Sequence, residues 1–112
     1  MANAYKILGQ LNPTANTQGN VYVVPASTSA VVSSILVTNQ TASNLSYSIA
    51  VMPPANYASP AANTYYIVRG GLLPASDTVN LNFGVTLQTG CILAANASSS
   101  SVSISAFGVE IS

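Results

Sequence analysis

The chain has 112 residues, of which only four are charged: Lys6, Arg69, Asp77 and Glu110. Charged residues make up 4% of it, against about 25% in an ordinary globular domain, and Ser, Thr and Asn fill about a third of the row instead. Two scattered cations cannot displace the counterions of a phosphate backbone or hold an anionic lipid surface, so neither nucleic acid nor a membrane is an expected partner.

In chain order the row reads as strands separated by turns. Tyr5 to Leu11 is a first strand, with Tyr5, Ile7, Gly9 and Leu11 on one face, ended by Asn12-Pro13. Proline removes a donor and pushes its predecessor out of helical space. A polar loop, 14 to 20, leads to a short strand from Val21 to Val24, which Pro25 stops. Ala30 to Val51 carries two β-branched, apolar-rich runs around the turn-forming Gln40 to Asn44. That pattern predicts an antiparallel hairpin at the centre of the core. Val31, Ile35 and Val37 share a face of its first strand; Tyr47, Ile49 and Val51 share a face of its second, opposite Ser46, Ser48 and Ala50.

The stretch 52 to 63 holds three prolines and is expected to be the longest loop, apolar for a loop. Regular pairing is barred there. Thr64 to Arg69 is the next strand, in which Tyr65 and Tyr66 must point to opposite faces, so that one ring reaches the outer surface; Gly70-Gly71 reads as a corner and Pro74 to Asp77 as a turn. Thr78 to Phe83 alternates, with Val79, Leu81 and Phe83 inward, before Gly84 breaks it. Val85 to Leu87 and Cys91 to Ala95 follow, then a polar hairpin tip from Asn96 to Ser101. The last strand, Val102 to Ile111, changes phase between Ala106 and Phe107, which places a bulge at Gly108.

This is an all-β chain: one domain over 1–112, an antiparallel β-sandwich of about eight strands, jelly-roll or immunoglobulin-like, with a small β-barrel as the runner-up. Without histidine, neither a His-assisted triad nor a His-liganded metal site can be built. Asp77 and Glu110 are the only carboxylates, each expected to pair with Lys6 or Arg69 or to sit in a turn. No Gly-rich phosphate cradle precedes a helix. The expectation is therefore no enzyme, no metal and no cofactor. Cys91 lies in an apolar run and reads as a small buried hydrophobe. The N-terminal MANAYKILGQLNP has one Lys and no long apolar core, so it does not read as a secretory signal. Two binding readings follow from the residues. A glycan-binding module would use exposed rings such as Tyr57, Tyr65 and Tyr66 beside the many Asn residues. A structural subunit would use an uncharged surface within an assembly, as interface centres do. The candidate partner contacts are Tyr57, Tyr65, Tyr66 and Arg69.

Five segments carry a resemblance: AYKILGQLNP, VYVVPAS, AVVSSILVTN, TYYIVRGGLLPASDTVNLNFGVTL and SISAFGVEIS. In this order they resemble the small virion structural proteins of tailed bacteriophages, notably cyanophages and related marine phages. The most specific parts are Ala4-Tyr5-Lys6 with Leu8-Gly9-Gln10, Val24-Pro25-Ala26, and Ala106-Phe107-Gly108 with Glu110-Ile111. None is a catalytic motif. The resemblance implies a non-enzymatic, multicopy particle component, located in the virion and assembled in the host bacterial cytoplasm. It would be a tail or baseplate component near the fibres, or alternatively a capsid decoration (cement) protein. Its partners would be other virion proteins and further copies of itself in a symmetric oligomer, a trimer suiting either place.

Overall fold

The computed structural model describes residues 3–54, 61, 63–82 and 84–111. Nine strands are present among them: β1 Asn3–Leu11, β2 Gly19–Val23, β3 Ser29–Asn39, β4 Leu45–Met52, β5 Tyr66–Leu73, β6 Thr78–Leu81, β7 Val85–Leu87, β8 Ile92–Ala97 and β9 Val102–Ile111. They form two antiparallel sheets, ordered β1-β9-β3-β6, with β7 also on β3, and β2-β8-β4-β5. Strands β6 and β7 pair with successive stretches of β3, so they act as one interrupted strand. Counted that way, the chain is an eight-stranded jelly roll, the first of the two sandwich topologies expected from the sequence.

The core lies between the sheets. From one side come Val32, Ile35, Val37, Leu87, Val102 and Ile104; from the other come Tyr47, Ile49, Leu73 and Leu93, all nearly inaccessible to water. Each fully buried aliphatic side chain contributes about 1.5–3 kcal/mol. Cys91 is buried among them, as its apolar setting implied.

The expected hairpin is not one. Strands β3 and β4 belong to different sheets, and Gln40 to Asn44 forms a corner between them. Asn39 makes the corner. Its buried side-chain amide donates to the carbonyls of Ser43, Leu73 and Pro74 at 2.8, 3.2 and 3.0 Å, while Oδ1 accepts from Thr41 N and Thr41 Oγ1 at 2.8 and 2.7 Å. Backbone bonds from Asn39 to Asp77, from Gln40 to Ser101 and from Ser76 to Thr41 tie it to two neighbouring turns. The 96–101 tip is likewise a crossing, from β8 to β9, not a hairpin. The residues that favour tight turns serve corners equally well, because both need local side-chain-to-backbone bonds.

Two glycine expectations also change. Gly70 and Gly71 lie inside β5, where the register slips between Val68 and Gly71 and Gly70 takes φ +64°. Strand β9 keeps one phase throughout, with Val102, Ile104, Ala106 and Gly108 all inward. The extra residues sit in its neighbours: Leu8 in β1 and Ser33 in β3. At the same level β6 ends at Leu81 and β7 begins at Val85; Phe83, expected inward, lies outside the described residues. The five-stranded sheet is thus creased along one line, and only β9 crosses the crease unbroken. Gly108 permits this, since a Cβ there would lie 2.0 Å from the Val31 carbonyl oxygen. Ser33 Oγ donates to the Phe107 carbonyl at 3.1 Å and secures the bulge.

Candidate functional site

The crease decides what the outer face of the five-stranded sheet presents. In a strand, opposed residues share a face. Beyond the crease toward the C-terminal end of β9, Tyr5 opposes Val109 and Ile7 opposes Phe107, with Val31 opposing Val109 on the other flank and Ile111 completing the row. All point away from the core. Tyr5 is 84% and Ile7 52% exposed, the largest exposed apolar side chains on that sheet. On the other side of the crease the same face carries Gln10, Ser103, Ser105, Thr38 and Thr78 around Leu36. Gln10 donates to Ser105 Oγ at 3.3 Å, and the Thr38 and Thr78 hydroxyls lie 3.1 Å apart. A shallow groove of about 330 Å³ lies here, lined by Gln10, Leu11, Asn12, Ser103, Ile104 and Ser105. One half of the face is apolar and the other is a ladder of small polar groups.

Behind the apolar half sits the ion pair. Lys6 Nζ donates to Glu110 Oε1 at 3.0 Å, and the Tyr22 hydroxyl, reaching across from β2, donates to Oε2. Both carboxylate oxygens are therefore occupied. The two hydrogen bonds hold Glu110 below the usual carboxylate range. Burial, reinforced by the bond to Glu110 and its charge, pushes the Tyr22 hydroxyl well above the usual tyrosine value. Lys6 is drawn inward by this pairing, so the outer face beside it carries no charge. Asp77 stands in its turn, with Oδ1 accepting from Thr78 N at 2.8 Å. These are the pairings expected of the two acids.

The outer face of the four-stranded sheet differs. Ala50, Met52 and Ala94 point outward there yet are buried, covered by Ala61 with Tyr65, Tyr66 and Ile92 packed around them. Gln18 Oε1 accepts from Ala61 N at 2.9 Å and pins that cover. This accounts for the apolar character of Ala61 in the 52–63 stretch: it packs against the molecule's own sheet.

Of the four anticipated contact residues, Tyr57 lies outside the described residues. Tyr65 sits in a 3₁₀ turn, Asn63–Tyr65, not in a strand, so it and Tyr66 need not face opposite ways. Both rings are half-buried on the same outer-face cluster. Tyr65 also lines an open groove of about 360 Å³ with Val51, Pro53, Thr86, Gln88 and Cys91. Arg69 is exposed on β5 and lies over the Tyr66 ring, 4.8 Å from its centroid. Sequence reasoning missed the Tyr5, Ile7, Phe107 and Val109 face. The available signal was that the last strand is apolar in both phases, which a strand covered on one side does not require.

Comparison with protein-family models, with curated proteins and with solved structures returned no match for this chain. The fold and surface by themselves define a small charge-poor jelly-roll β-sandwich with a row of apolar side chains, Tyr5 and Ile7 the most exposed, on half of one outer sheet face.

Proposed function

We propose that this chain is a non-enzymatic, multicopy structural subunit of a bacteriophage virion. The observation that carries the reading is the uncharged apolar half of the outer sheet face, on a molecule with four charged residues in all. Contiguous apolar surface, as distinct from single scattered side chains, is where docking is looked for first. A subunit whose surface is largely used in an assembly has little need of the charge that keeps free proteins apart. The segments that resemble small phage virion proteins support the same reading. They favour the tail or baseplate region near the fibres, with capsid decoration as the alternative position.

The glycan-binding reading has less behind it. Tyr65 and Tyr66 lean on the molecule's own cluster and do not form a flat, open ring platform.

Mass spectrometry of purified particles tests the proposal. The chain is expected among the multicopy proteins, and gold-labelled antibody should decorate the tail end. Absence from particles made by cells that express the chain would sink it. Labelling confined to the head would move the assignment to capsid decoration.

A further inference from the structure

Every sheet edge exposes unpaired N–H and C=O groups, and natural proteins blunt such edges. Three of the four edges here are short or interrupted. Strand β5 is bulged at Gly70 and carries the exposed Arg69. The β6–β7 edge is made of two short strands, four and three residues long, with Gly84 at φ +63° before the second. Strand β2 has five residues, a register shift between Asn20 and Tyr22, and Pro25 just beyond it. Strand β1 is the longest of the four and runs regular over Asn3 to Ile7, its irregularity coming only at Leu8. Its one charge is Lys6, half exposed as it reaches Glu110. Among the described residues, β1 pairs with β9 alone, and no other backbone bond to it is present.

We propose that two copies of this chain pair through β1, edge to edge and antiparallel about a two-fold axis, joining their five-stranded sheets into one. The occupant follows from chemistry. An open edge is satisfied by another extended strand, and each further copy supplies an identical one. The flanking face, Tyr5, Ile7, Phe107 and Val109, carries no charge, and the chain has formal net charge +0. Two copies therefore meet without like-charge repulsion, and the face offers no charge pattern by which a different protein would be selected. Size sets the strength. Five residues at about 3.4 Å each give a shared edge of roughly 17 Å, which at a sheet thickness of about 10 Å is roughly 170 Å². That is well under the roughly 800 Å² per partner of a stable complex. The pairing is thus a reversible one, and it merges two small apolar faces into a stripe twice as long. It deepens the multicopy-subunit reading in expecting self-association, but its test is separate: absence from particles would leave this surface standing, and a monomer in solution would leave the particle assignment standing.

Sedimentation velocity over micromolar to millimolar concentration reads the outcome. The wild-type chain is expected to shift from one chain of 11.4 kDa to a dimer. The Tyr5→Lys/Ile7→Lys double variant should remain monomeric throughout. A charge-matched control on β5, Ile67→Lys/Leu72→Lys, should dimerise as the wild type does. In the wild type, hydrogen exchange of the amides over 3–7 should slow severalfold as concentration rises, a readout that needs no variant to fold. A wild-type monomer at every concentration, equal loss of dimer in the control, a closed trimer indifferent to Tyr5 and Ile7, or exchange over 3–7 that ignores concentration would each overturn the pairing.

Discussion

Asn39 has three carbonyls within reach of its side-chain nitrogen and two hydrogens to share among them. Among the described residues it is the one buried polar residue apart from the tyrosines. Removing it strands several buried backbone groups at once, so Asn39→Ala should cost about 2–3 kcal/mol in urea unfolding. Asn39→Asp should cost more at neutral pH, because a buried carboxylate would then face carbonyl oxygens. The Lys6–Glu110–Tyr22 group makes a second residue-scale prediction. Glu110 binds its proton less readily when folded. Its contribution is therefore complete above the unfolded carboxylate value of about 4.3 and is lost as pH falls through the lower folded value. Tyr22 holds its proton more tightly when folded. Its contribution is complete below the unfolded value of about 10 and is lost as pH rises through the higher folded one. Stability against pH should show a plateau with a shoulder lost at each end. Glu110→Gln should flatten the acid limb and Tyr22→Phe the alkaline one, in urea midpoints recorded across pH.

At the scale of the element, glycines at the crease separate steric from conformational need. A Cβ on Gly108 would meet the Val31 carbonyl oxygen at 2.0 Å, and one on Gly9 would meet that of Val21 at 1.9 Å. Gly84 has open space around it but φ +63°. Gly108→Ala and Gly9→Ala should each cost about 3 kcal/mol or more, through backbone displacement. Gly84→Ala should cost about 1–2 kcal/mol, the left-handed penalty alone. Thermal unfolding of the three variants gives the order, and a Gly84 variant as damaged as the other two would contradict it. Strands were the legible part of this chain, since alternation in β4 and β6 is a local property. Pairing was not. The corner at Gln40 to Asn44 uses the same residue types as a hairpin, and what makes it a corner is contact with Leu73, Pro74 and Asp77, far away in sequence. The phase of β1 was misread for a similar reason. Leu8 and Gly9 both face inward at a bulge, and nothing local to them says so. Of the anticipated site residues, Arg69 is exposed on β5, whereas Tyr65 and Tyr66 pack against the cluster of Ala61 and Ala94, which no pattern within the strand reports.

Across the whole molecule, the two outer faces are treated differently: one has Ala50, Met52 and Ala94 covered by Ala61, with Val23 and Leu72 exposed toward its edges, and the other is left half bare. Folding and docking should therefore separate by mutation. Ile49→Ala, in the shared core, should lower stability by about 2–5 kcal/mol. Tyr5→Lys, on the bare face, should change it by no more than about 0.5 kcal/mol. Equal losses in denaturant titrations would show that the bare face is part of the folding core after all. The crease adds a point about heredity. Because side chains alternate with period two, the loss of one codon at a bulge inverts everything on one side of it. Deleting Ser33 would turn Val31 inward and send Ala30 and Val32 to the surface; deleting Leu8 would do the same to Tyr5 and Ile7. Single-residue length changes at these two sites could thus exchange an apolar exterior for a different one while β9 stays as it is. Descendants of this chain would then differ in what they attach to through a missing or added residue, with hardly any change of composition.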